Sequence, residues 1–208
     1  MESTGCKDME RKEYSSALKT VSLCFSEFRK MVQLLNSGKS LEEIKALNSE
    51  ENIFSTPTQN RAIQIFNTIS SRITVLDRSF LTLFENSDVS TQKMIALIAV
   101  MQSDSLFFEF VYEVYREKLI MRNEELSDSD IRIFFRDKQL QSEKVAKWAD
   151  ETIARLGRCY KTMLMEAGLT DRSSGNRKIL RPILDKSLED CLLANGMEQI
   201  LHALSGVR

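Results

Sequence analysis

The chain has 208 residues, a formal net charge of −1, 42% apolar residues and 28% charged ones. That balance argues against disorder and leaves overall charge no part in choosing a partner. The length suits one domain, or two small lobes sharing a core. Two prolines and seven glycines are few, and the long amphipathic stretches between them predict an all-α fold, a compact multi-helix bundle.

Residues 1–13 are polar and charged and read as a flexible tail ahead of a helical domain over 14–208. Lys7, Arg11 and Lys12 are its phosphate-seeking charges. From Tyr14 the spacing of Leu18, Val21, Phe25, Phe28, Val32 and Leu35 predicts one helix to about Ser37, ended by Gly38. Its seam is too short for a coiled coil. Ser40 and Glu43 form a capping box for a short helix through Leu47. Thr56, Pro57 and Gln59 mark another start, with Ala62, Phe66, Ile69, Ile73 and Leu76 inward and Arg61 and Arg72 on more exposed faces. Asp77 to Asn86 reads as a short helix burying Phe80, Leu81 and Phe84.

Met94 to Met121 is the stretch the rest is arranged around. Phe107, Phe110, Val111 and Val114 share one helical face, and Phe108, Tyr112, Tyr115 and Leu119 the adjacent one. Glu109, Glu113, Arg116 and Glu117 are left in a narrow polar stripe, so this helix belongs among neighbours. The wholly apolar run Met94 to Met101 is far shorter than the roughly 20 residues of a membrane span. Asp104 serves as a cap for the Phe107 helix.

The acidic segment NEELSDSD, residues 123–130, is the candidate boundary between lobes 14–126 and 127–208. Ser127 then caps a helix with Ile131, Phe134 and Phe135 inward. A longer helix is expected from Ser142 to Glu166, with Val145, Trp148, Thr152, Leu156, Cys159 and Met163 as its core face. Lys144, Lys147, Arg155 and Arg158 would fall within about 80° on another face, with Glu151 among them. Residues 168–181 hold a turn signal, Ser-Ser-Gly-Asn, and read as a small β-hairpin or a loop. Between Arg172 and Pro182 lie Arg172, Arg177, Lys178 and Arg181, with no carboxylate. Two short helices, Ser187 to Asn195 and Met197 to Leu204, close the chain.

Charge is unevenly spread: residues 1–126 carry 15 Lys/Arg against 18 Asp/Glu, and residues 131–182 carry 12 against 6. A helix pair followed by a basic hairpin is how a winged helix-turn-helix reads in sequence. Lys144, Lys147, Arg155 and Arg158 would be the helix charges, and Arg172, Arg177, Lys178 and Arg181 the wing charges. The plainer alternative is a solubilising surface on an ordinary bundle. No phosphate loop or dinucleotide fingerprint is present, and the one histidine, His202, leaves no His-based triad. Cys6, Cys24, Cys159 and Cys191 are scattered without a C-x-x-C pair, as reduced packing residues of a cytoplasmic protein are. Neither a metal nor a cofactor is expected.

Several stretches together resemble one family. They are YSSALKTVSLCFSEFRKMVQLL, EENIF, TPTQNRAIQIFNTISSRITVLD, LFFEFVYEVYREKL, the Trp148 helix with its AGL ending, and ILRPIL. Over residues 14–204 the chain is similar to the small BrxA proteins of bacterial BREX phage-defence islands. The resemblance implies an all-helical protein, similar in fold to the antitermination factor NusB, with no enzymatic activity. It also implies binding of double-stranded DNA and action beside a DNA methyltransferase, a phosphatase-like protein and ATPases. Some family members are labelled inner-membrane proteins, which the short apolar runs here argue against. The competing function is a protein–protein scaffold without significant DNA affinity.

Overall fold

The apolar seam beginning at Leu18 does not run as one helix to Ser37. In the computed structural model, which describes residues 13–207, a single 3-10 turn at Ala17–Thr20 gives way to extended backbone. Helix α1 (Phe25–Asn36) starts only after Cys24, whose φ is +53°. Lys7, Arg11 and Lys12 lie outside the described residues.

The break has a tertiary cause. The Arg72 guanidinium donates to the carbonyls of Ser22 (3.0 Å) and Leu23 (2.9 Å), and the Leu23 amide donates to the Glu166 carboxylate (3.0 Å). Side chains from two later helices thus satisfy backbone groups that a continuous helix would pair internally. Arg72 is 1% exposed, which corrects its expected place on an open face. Arg61 stays part-exposed and donates to the Thr20 carbonyl at 3.1 Å.

Helix α2 (Leu41–Glu51) opens on the expected capping box: the Ser40 hydroxyl accepts from the Glu43 amide, and the Glu43 carboxylate accepts from the Ser40 amide. Helix α3 (Gln59–Ile73) starts later than Thr56 and Pro57 suggest. Thr58 is its cap, and Thr56 instead donates to the Asn52 side chain through both its amide and its hydroxyl. Asp77 caps α4 (Arg78–Asn86), and Asp88 caps α5 (Val89–Ser103).

With no polar face between Met94 and Met101, α5 must be surrounded. Each of those eight residues is at most 5% exposed, and α1, α3 and α4 pack around them. The chain then bends by 115° at Asp104, whose carboxylate accepts from the Phe107 amide at 2.8 Å. A rod follows: α6 (Ser105–Phe110), a π-helical turn (Val111–Tyr115) and α7 (Arg116–Ile120). Among the described residues no single helix is long and apolar enough to cross a membrane. The α5–rod pair has the length and composition but is sharply bent.

The acidic segment contributes a short strand, β1 (Glu125–Leu126), and then α8 (Asp128–Gln141), capped by Ser127 with Asp130. The expected helix from Ser142 to Glu166 is two helices, α9 (Glu143–Ala146) and α10 (Asp150–Glu166). Asp150 and Glu151 favour a fresh N-terminus there through the helix dipole. Trp148 sits in the connection, half-buried. The hairpin exists in outline, with Thr170 bridging to Ile179. Its regular pairing, however, is β2 (Arg177–Lys178) antiparallel to β1, with Glu125 opposite Lys178 and Leu126 opposite Arg177. Helices α11 (Lys186–Ala194) and α12 (Glu198–Ser205) finish the bundle. One apolar cluster runs from Leu18 to Leu204.

Candidate nucleic-acid interface

Helices α8 and α10 approach closely because Gly157 has no side chain. A Cβ there would stand 2.7 Å from Ile131 Cγ2. Below this contact Phe135 stacks on Tyr160, with ring centroids 5.7 Å apart. Above it the helices diverge into a groove of about 720 Å³ floored by Ile131, Phe135, Ile153 and Gly157. Its edges carry Arg132, Arg136, Arg158, Lys161 and Arg177 against the carboxylates of Asp128 and Asp150.

These cations are not equivalent. Lys161 is 8% exposed and paired with Asp128, so its charge is largely spent inside. Arg177 donates to the Lys161 carbonyl, tying β2 to α10, and its Nε is buried without a hydrogen-bond partner. Burial pushes the Arg177 pKa down, while the Asp171 and Asp128 carboxylates pull it back up. Arg132, Arg136 and Arg158 are exposed, and none makes an ion pair among the described residues.

The residues proposed from sequence divide accordingly. Arg158 and Arg177 reach the groove, and Arg155 is exposed on α10 outside it. Lys144 and Lys147 lie across the break between α9 and α10, so the four do not form one helical stripe. Lys144 pairs instead with Glu13 at 3.1 Å. In the wing, Arg181 donates to the Leu119 carbonyl at 2.7 Å, and the Tyr115 hydroxyl donates to the Leu180 carbonyl at 2.9 Å. Arg177 and Arg181 therefore fasten the hairpin to the bundle; Arg177 is part-buried, whereas Arg172, Lys178 and Arg181 itself are exposed. Asp171 frames the turn, accepting from the Ser173 hydroxyl and the Lys178 amide, and these bonds hold its pKa below the usual carboxylate value.

Sequence reasoning missed Arg132 and Arg136. They stand one turn apart on α8, beside the buried face marked by Ile131 and Phe135. That spacing was legible, but the single helix expected over Ser142 to Glu166 would carry five cations against three on α8 and outweighs it. On its other side α8 is fixed to the rod by Lys138, which is 2% exposed and bridges Glu109 and Glu113; Glu109 also accepts from the Tyr14 hydroxyl. Among the described residues no group of three or more His, Cys, Asp or Glu is placed to hold a metal ion.

Fold and groove together define a class: all-helical bundles with a small β-ladder and a cationic cleft between two helices. Comparison narrows it. A profile of the BrxA family matches residues 12–196. A BREX protein BrxA from Bacillus cereus (strain H3081.97) is 38% identical over 183 residues, covering 88% of this chain and 92% of the relative. The chain belongs to the BrxA family. Its fold is also that of an uncharacterized protein from Magnetospirillum magneticum solved by crystallography. That match has a TM-score of 0.79 and covers 94% of this chain and all of the other, at 15% identity.

Proposed function

We propose that this chain is a non-enzymatic accessory protein of a bacterial BREX phage-defence system that binds double-stranded DNA, mainly through backbone phosphates, along the groove between α8 and α10. The observation that carries the reading is the row of guanidinium groups on Arg132, Arg136 and Arg158 above that groove, without an ion pair among the described residues. A guanidinium fork matches two phosphate oxygens, and such contacts position a duplex without reading its sequence. The aromatic residue of the groove, Phe135, is 1% exposed and offers no platform for stacked bases, which favours duplex over single strands. Arg172 and Lys178 extend the positive surface at the hairpin. Other BREX proteins, among them the methyltransferase, the phosphatase-like protein and the ATPases, are its partners in this reading. No membrane is involved.

The test is fluorescence anisotropy with labelled duplex and single-stranded DNA across a salt series. Wild type should bind duplex more tightly, with affinity falling steeply as salt rises. A variant with Arg132, Arg136 and Arg158 all changed to Ala should bind at least tenfold more weakly. Its salt slope should be shallower by about 0.9 for each phosphate it no longer neutralises. An R172A/K178A variant measures the hairpin separately. No duplex binding by wild type at low salt would leave the scaffold reading in its place.

A further inference from the structure

The two flanks of α8 carry opposite chemistry. Away from the basic groove, between α8 and the end of the rod, lies a second groove of about 330 Å³. Val114, Met121, Ile133 and Phe134 give it apolar walls, and Met121 and Ile133 are 71% and 60% exposed. Its polar rim is Glu113, Glu117, Asp130 and Asp137, with Lys118 as the single cation in its lining. Internal pairing does not neutralise this rim. Lys118 is held by Asp130, Arg116 by Glu117, and Lys138 is shared between Glu109 and Glu113. Three cations thus serve four carboxylates, and a fifth, Asp137, has no ion pair among the described residues. Leu140, 82% exposed, continues the apolar line on α8 two turns beyond Ile133.

We infer that this groove docks a basic amphipathic helix of a partner protein. Its aliphatic residues would seat on Met121, Ile133 and Leu140, and its Lys and Arg residues would meet Glu113, Glu117 and Asp137. Large aliphatic side chains lined up in water mark an interaction surface rather than a solvated face. The residual negative charge selects a cationic occupant and repels DNA. Ile133 and Leu140 are about 10 Å apart along the helix axis at 1.5 Å per residue. A partner helix presents its i and i+7 side chains at that same interval, which suits helix-in-groove recognition. The inference does not depend on DNA binding: the two grooves lie on different flanks of α8, so one helix can hold two ligands at once.

The probe is a labelled amphipathic Leu/Lys helix of about 14 residues, with a Leu/Glu helix of equal length as counterpart. Binding is followed by anisotropy, and its site by amide chemical shifts of the full chain. The Leu/Lys helix should bind and shift resonances along Met121 to Leu140, and the Leu/Glu helix should not bind. Ile133→Asp should weaken binding at least tenfold, and Asp137→Lys should weaken it with a reduced salt dependence. Both positions are on the surface, and unchanged circular dichroism would show both variants folded. The R132A/R136A/R158A variant should bind the peptide like wild type, which separates this site from the DNA groove. Absent binding, shifts elsewhere, equal binding of the Leu/Glu helix, or indifference to Ile133→Asp would each overturn the inference. So would self-association in sedimentation that Ile133→Asp abolishes, because the occupant would then be a second copy of this chain.

Discussion

Arg72 and Arg132 are the same residue put to opposite uses. Around α5 the structure takes its arginine inward: Arg72 is 1% exposed and holds the carbonyls of Ser22 and Leu23 where the first helix is interrupted. Between α8 and α10 Arg132, Arg136 and Arg158 remain at the surface without an ion pair among the described residues. Arg177 and Arg181 resemble Arg72 although they lie in the basic segment, since each donates to a main-chain carbonyl. The positive charge a chain offers to a ligand is therefore not the charge counted in its sequence. It is what remains after the backbone has taken its donors.

Arg72→Met breaks this contrast most severely. The buried Leu23 carbonyl and the part-buried Ser22 carbonyl lose their donor at about 1–3 kcal/mol each, so urea unfolding should show a loss of roughly 3–5 kcal/mol at unchanged slope. Arg132→Met should change stability by no more than about 0.5 kcal/mol. A loss under 1 kcal/mol for the Arg72 variant would make the clamp dispensable.

Asp104 sharpens the inward side of the comparison. Burial raises its pKa from the usual 3.8 to about 6, against the opposing effects of the Phe107 amide and the Arg72 charge. Tyr160 also lies within its electrostatic reach. A carboxyl whose pKa is raised on folding favours the native state fully below pH 3.8, and that contribution is lost as pH rises through about 6. At 1.36 kcal/mol per pH unit the loss is about 3 kcal/mol. Asp104→Asn keeps a capping oxygen and removes the titration. Its stability relative to wild type should rise by that amount between pH 4 and pH 7, and a flat difference would refute the assignment.

Gly157→Ala tests what shapes the outward side. The new Cβ would meet Ile131 Cγ2, so the Ile131 side chain must turn or α8 and α10 must part, at a cost of about 1–3 kcal/mol. Duplex affinity should fall with it, although no charge has changed. The smallest effect is expected from Arg181→Ala. It frees the Leu119 carbonyl at about 1 kcal/mol and leaves the salt slope of DNA binding unaltered. A shallower slope would return Arg181 to the interface.

Much of the architecture was legible. The capping box at Ser40, the caps at Asp104 and Ser127, and the burial of α5 all follow from local rules: short side chains that accept from the next turn, and apolar runs with no polar face. What escaped was non-local. Helical periodicity continues through Val21 and through Trp148, yet the chain is not helical at either place. Nothing near Ser22 announces that Arg72 and Glu166 will take its backbone partners.

The candidate site divides in the same way. Composition alone located a basic stretch at 131–182 and a turn at Ser-Ser-Gly-Asn, and the pattern of the whole chain pointed to the BrxA family. Tertiary structure decided the rest. It made Leu126, inside an acidic loop, the partner of Arg177 in a strand pair, and it fixed which arginines face water. Local preferences act over a turn or two of helix and are written in adjacent residues. A side chain's final direction depends on backbone groups 50 or more positions away, as Arg72 and Ser22 illustrate.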